Sequence, residues 1–178
     1  RGLVAPGPSL IRNALAFIDG DAEPTLALPT ALAGTPREAE AEPLIVEALE
    51  MDRRLFPGDH PNTAHALYTL AGLRLRLGRV ADAVPVAAEC VAMQRRLQSG
   101  AHIPLAMSLV LLGRARQSQK DWAGSMPAFD EGVTMLRRLM PDGSPQLARS
   151  LWQWGSARLE SGDAPGAQSS HQRGIVHH

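Results

Sequence analysis

The sequence repeats one pattern three times, 42 residues apart and without a gap. EMDRRLFPGDHPNTAHAL begins at position 50, AMQRRLQSGAHIPLAMSL at 92 and TMLRRLMPDGSPQLARSL at 134. Pro43, Pro85 and Pro127 share one column, and Met51, Met93 and Met135 share another. The triplets Arg53-Arg54-Leu55, Arg95-Arg96-Leu97 and Arg137-Arg138-Leu139 coincide, as do Ala64, Ala106, Ala148 and Leu67, Leu109, Leu151. A period of roughly 20–50 residues marks a chain built by stacking one supersecondary unit.

That unit reads as a pair of helices. NTAHALYTLAGLRLRLG places Ala64, Leu67, Leu70, Ala71 and Leu75 at helical spacing. Pro61 and Pro145 suit a first helical turn, where the missing N–H costs nothing, and Ser144 is a good N-cap. Gly78 and Gly162 stop this first helix as left-handed C-terminal glycines do. In the second helix, VADAVPVAAECVAMQRRL, Val80, Ala83, Ala87, Cys90 and Val91 form one stripe. Its last turn carries the arginine pair, favourable beside the negative end of the helix dipole. FPGDHP, QSGAHIP and MPDGSP then close one unit and open the next.

One such pair cannot bury its own apolar face, whereas stacked pairs can. The expected fold is therefore all-α, an α-α superhelix of about three full helix-turn-helix repeats with degenerate terminal helices. The units run at about 37–78, 79–120 and 121–162, and residues 163–178 form a partial one. In that last piece a poorly apolar second helix, APGAQSSHQRGIV, begins at Ala164. Residues 1–36 read as a degenerate repeat or cap: SLIRNALAFI, from position 9, makes one helix, and Pro29 interrupts the apolar stretch after it.

Composition narrows the function. Lys plus Arg and Asp plus Glu both number 18, so no net charge steers the chain onto nucleic acid or an anionic membrane. No apolar run approaches the roughly 18 residues of a membrane-spanning helix. The single cysteine, Cys90, excludes an internal disulfide framework and fits a reducing, cytoplasmic compartment. The start on Arg-Gly-Leu-Val reads as a piece of a longer chain or a processed one.

The repeat resembles a tetratricopeptide array of the kinesin-light-chain type, whose units are about 42 residues long. EAEAEPLIVEALEMDRRLFPGDHPNTAHALYTLAGL carries the resemblance most closely, and it covers roughly residues 37 to 163. It implies a non-catalytic protein–protein interaction module that takes an extended peptide or a helix in a concave groove. It also implies that chains of this type are often part of larger bacterial signalling proteins. In this repeat class the first helix faces the groove, which makes Tyr68, Val110 and Trp152 one column of candidates. Gly72, Arg114 and Ser156 make the next, and Thr69, Leu111 and Gln153 border them.

Two departures stand out. The family usually has an Asn-Asn pair before the central leucine of the first helix, where this chain has Tyr68-Thr69, Val110-Leu111 and Trp152-Gln153. Where the family usually has a tyrosine, this chain has Arg74, Arg116 and Arg158. Helices about 8–10 Å apart would stack these three into a ladder of guanidinium groups, each able to grip a carboxylate or phosphate. Alternatively, each stem packs between helices while its head reaches water or pairs with a nearby Glu or Asp. Trp154 and Trp122 sit at packing positions of the repeat.

Motifs for chemistry are missing. There is no phosphate-binding glycine loop and no nucleophile elbow. His60, His65 and His102 fall in or beside the inter-repeat turns without metal-ligand spacing, and Cys90 sits at a small, packed position. The expectation is no cofactor, no metal and no catalytic residue, with a protein or peptide as partner. A structural subunit that docks into a larger assembly, or self-associates, through its ends or convex face is the other reading.

Overall fold

The computed structural model describes residues 36–162; the degenerate repeat or cap expected over residues 1–36, Pro36 apart, and the helix expected from Ala164 lie outside them. Six α-helices and no strand make up the described residues: α1 (Pro36–Leu55), α2 (Pro61–Arg76), α3 (Val80–Leu97), α4 (Ile103–Ser118), α5 (Trp122–Leu139) and α6 (Pro145–Glu160). The chain divides into two compact units between Val86 and Ala87, within α3.

The starts of the first-type helices share one device. His60, His102 and Ser144 are N-caps in extended backbone, each accepting a hydrogen bond from an early backbone N–H, and a proline follows each at the first or second helical position. The acceptor satisfies one of the four donors a helix start leaves unpaired. These caps are 42 residues apart, so the repeat is written into the turn chemistry as well as the apolar columns.

The ends match too. Gly78, Lys120 and Gly162, again 42 apart, all adopt positive φ, at 73°, 60° and 87°. The N–H of Arg79 then donates to the Arg74 carbonyl and that of Asp121 to the Arg116 carbonyl, the six-to-one bond of a Schellman closure. Pro43, Pro85 and Pro127 lie inside α1, α3 and α5 without ending them. All three are exposed, as are the residues four positions earlier whose carbonyls they leave unpaired, so water can take the missing donor's place.

In the first unit α1 packs on α2, burying Ala41, Ile45, Ala48 and Leu49 with Ala64, Leu67, Leu70 and Ala71. In the second, α4 and α5 are the closest pair, and α6 packs on both. Ala106, Val110, Phe129, Val133, Leu136, Leu147, Leu151, Trp154 and Ala157 form its core. Two glycines permit the α4–α5 approach. A Cβ on Gly113 would lie 2.9 Å from the Phe129 ring, and one on Gly132 would lie 2.8 Å from the Ala106 carbonyl oxygen. Buried Phe129 fills the notch so formed, an aromatic burial of about 3–5 kcal/mol against alanine.

Candidate interaction surface

The first-type helices carry the candidates, and the structure sorts them by environment. On α2, Tyr68 and Gly72 are half-buried, while Thr69 is buried with its hydroxyl donating to the His65 carbonyl. On α4, Arg114 is half-buried. On α6, Trp152 is 62% exposed, with Gln153 and Ser156 half-buried on the same helix. Ser156 donates to the Glu160 carboxylate at 3.2 Å.

Val110 corrects the expectation of a surface position. It is only 4% exposed and belongs to the core of its unit, with its Cγ2 facing Gly132 of α5. Leu111 beside it is equally buried. In this repeat the column of Tyr68, Val110 and Trp152 turns toward the following second-type helix. The sequence showed the column but not which side of the helix the close glycine contact would claim.

The arginine column has a regular local role. Arg74 donates through Nη1 to the Asp82 carbonyl at 3.3 Å, and Arg116 donates through Nη1 to the Gly124 carbonyl at 3.0 Å. Asp82 and Gly124 are themselves 42 apart, each in the first turn of the helix that follows. Both guanidiniums therefore hold a first-type helix to the start of its partner. Carboxylates complete the setting: Glu42 takes Arg74 at 2.9 Å and Arg79 at 2.6 Å, and Asp121 stands 3.8 Å from Arg116. Glu38 of α1 likewise takes Arg76 at 2.6 Å. Hydrogen bonding to Asp82, with the Glu42 charge beside it, pushes the Arg79 pKa up.

Arg158 differs. It reaches Asp130 of α5 at 3.5 Å and lies 4.4 Å over the Trp154 ring, with Arg137 at 5.2 Å from the same ring. Trp154 thus has two guanidinium groups over its ring, a cation–π arrangement. Its Nε1 is buried without a hydrogen-bond partner.

The histidines act through their acceptor nitrogens. His60 Nδ1 accepts from the Asn62 N–H at 3.2 Å, and its ring stacks on Phe56 with centroids 3.8 Å apart. His102 Nδ1 accepts from the Leu105 N–H at 3.3 Å, and its Nε2 lies 3.3 Å from the Gln94 carbonyl. An imidazole that accepts at Nδ1 carries its proton on Nε2, so His102 donates to Gln94. The sequence placed these histidines in turns without seeing that they cap. The missed signal was that His60 and His102 share the column of Ser144.

Cys90 is buried and shares a 3.2 Å hydrogen bond with the Ser108 hydroxyl. Burial pushes its thiol pKa up, outweighing the Ser108 bond, and Glu89 adds to the rise. Burial also raises the Asp52 carboxyl, against the pull of His60. No group of three or more His, Cys, Asp or Glu that could hold a metal occurs among the described residues, and no described helix is long and apolar enough to cross a membrane.

Residues 37–96 match the family model of the tetratricopeptide repeat. This segment is of the tetratricopeptide-repeat type. Solved structures agree on the fold. Nearly identical TPR-like repeats assigned to a kinesin light chain of Podosopora anserina share 17% identity, covering 93% of this chain and 81% of that one, with a TM-score of 0.66. BtubC (BKLC) of P. vanneervenii shares 20% identity, covering 94% of this chain and 70% of that one, with a TM-score of 0.72. No curated protein matches the sequence. The tetratricopeptide fold is an all-α solenoid that generally serves protein interaction and is typically non-catalytic.

Proposed function

We propose that this chain is a non-catalytic interaction module of the cytoplasm, binding a peptide or helix of a protein partner along its first-type helices. The observation that carries the reading is α6, which turns Trp152 outward, 62% exposed, with Gln153 and Ser156 on the same helix. A solvent-facing tryptophan beside adaptable polar groups is the chemistry of a binding hot spot. Arg114 adds a charged contact on α4, and Tyr68, Thr69 and Gly72 are the matching positions on α2. Val110, buried in the core of its unit, makes no contact in this reading. The heads of Arg74, Arg116 and Arg158 are engaged within their units. Arg116, with a third of its side chain exposed, has the most left for an acidic partner. Neither nucleic acid nor a cofactor enters this reading, since the chain has no net charge and no motif for either.

Affinity capture tests it. An Arg114→Ala, Gln153→Ala variant with unchanged helical circular dichroism is expected to lose at least tenfold in partner yield. Equal capture by the variant and the unsubstituted chain would remove these helices from the binding surface. Docking into a larger assembly through an end is the second reading, favoured by Trp152 and Leu159 both lying exposed on α6. Light scattering distinguishes it by mass growth with concentration.

A further inference from the structure

The face of α5 turned away from its core carries charge at both ends and apolar surface between. While Gly132, Val133 and Leu136 are buried, Glu131, Thr134 and Arg138 are exposed, and Asp130 and Met135 are half-buried. These last five side chains and Ala101, in the turn before α4, line a dent of about 230 Å³. A small-molecule site holds roughly 300–1,000 Å³, so the dent suits a single protein side chain better.

The charges on this face are unevenly engaged. Asp130 stands 3.5 Å from Arg158 and Glu131 takes Arg95 at 2.7 Å, yet 48% and 44% of the two side chains stay exposed. Each carboxylate has lone pairs left for further donors. Among the described residues, no hydrogen bond or ion pair engages Arg138. With both carboxylates already matched by arginines, its charge is the one left over on the face.

Asp130 and Arg138 are eight residues apart, about 12 Å along the helix, and Thr134 lies midway. A face that is acidic at one end and basic at the other complements its own copy, which is what a twofold contact requires. Two α5 helices set antiparallel about an axis at Thr134 bring each Arg138 to the other copy's Asp130 and Glu131.

We propose that this face of α5 is the contact of a twofold homodimer. Arg138 of each copy lays its apolar stem in the other copy's dent, against Met135 and Ala101, and sets its guanidinium on Asp130 and Glu131. A contact of this size belongs with transient interfaces, below about 1,200 Å². The inference goes beyond the binding of a partner by the first-type helices and does not rest on it. The two tests are separable, because the capture variant leaves α5 untouched.

Sedimentation equilibrium of the full chain decides it. The unsubstituted chain is expected to approach twice its mass, and not to exceed it, as concentration rises toward roughly 1 mM. Arg138→Glu should weaken the dimer at least tenfold by setting carboxylate against carboxylate, and Glu131→Arg should do so by setting arginine against arginine. Mixing these two variants should restore association, because position 131 of each copy then faces an opposite charge at position 138 of the other. Thr134→Glu places like charges on the axis without touching an ion pair, so it should weaken the dimer even if a charge-swapped variant fails to fold. A chain monomeric throughout, a dimer unchanged by Arg138→Glu and Thr134→Glu, or a mixture of folded variants no better than its parts would each overturn the proposal. Growth past twice the mass that survives Arg138→Glu would overturn it too, and would assign self-association to the exposed α6 end.

Discussion

Lys120 occupies a backbone conformation that its two counterparts fill with glycine. At φ 60° its Cβ crowds the following carbonyl, a cost Gly78 and Gly162 avoid. Lys120→Gly is therefore expected to stabilise the chain by up to about 1 kcal/mol, less whatever glycine adds to the freedom of the unfolded state. A urea midpoint that rises at constant slope would show it, and one that falls would contradict the strain argument. His102 offers the complementary test. Its Nδ1 takes the Leu105 N–H, so His102→Ala should cost about 1–2 kcal/mol while His102→Asn, a better cap than alanine, keeps much of it. If the two variants melt together, the imidazole is packing rather than capping. Both residues sit in 42-residue columns visible in the sequence, yet neither role was read there. The glycines on either side of Lys120 pointed to a left-handed position that a lysine in the same column obscured. A histidine beside a proline suggested a turn before it suggested an acceptor.

At the level of helices, small residues decide how closely neighbours come, and position rather than residue type sets the sign of a substitution. Gly132 of α5 faces the Ala106 carbonyl, which cannot move aside as a flexible side chain could. Gly132→Val is expected to cost about 1–3 kcal/mol by overpacking. Gly72 of α2 is the counter-case, since a Cβ there would meet nothing nearer than the Arg76 Nη1 at 3.9 Å. Gly72→Ala should gain up to about 1 kcal/mol from helix propensity alone. Thermal melts of the two variants should move in opposite directions, and a shared direction would refute the distinction. Helix positions were legible from the apolar spacing and the terminal glycines, because both are local properties. The facing of a column was not. Val110 was expected at a surface and lies in the core, since the α4–α5 approach depends on Gly113 and Gly132 meeting residues about 16–26 positions away in the chain. The arginine column shows the same limit: its regularity could be read, but its carbonyl partners in the next helix could not.

For the molecule as a whole, the repeat removes the need for a large hydrophobic side-chain inventory. Aromatic residues are only 4% of the chain, and most of the buried core is alanine, leucine and valine brought close by small neighbours. Such a core depends on many contacts that are each modest, so its integrity is best followed from one buried reporter. Cys90 serves, being the only thiol, fully buried, hydrogen-bonded to Ser108 and with its pKa raised chiefly by burial. A raised thiol pKa means less thiolate at neutral pH, and burial denies a reagent access to what thiolate there is. Alkylation of Cys90 in the native chain should therefore run at least about a thousandfold slower than in the urea-unfolded chain, because it waits on opening. Adding urea below the unfolding midpoint should accelerate it with a slope that reports how much surface the opening exposes. A steep slope, matching the equilibrium one, would mean the second unit opens together. A shallow slope would mean that the neighbourhood of α3 opens by itself. Native-state labelling as fast as in urea would show that the thiol is not enclosed, and the close packing that explains Cys90, Ser108 and the small-residue columns would fail with it.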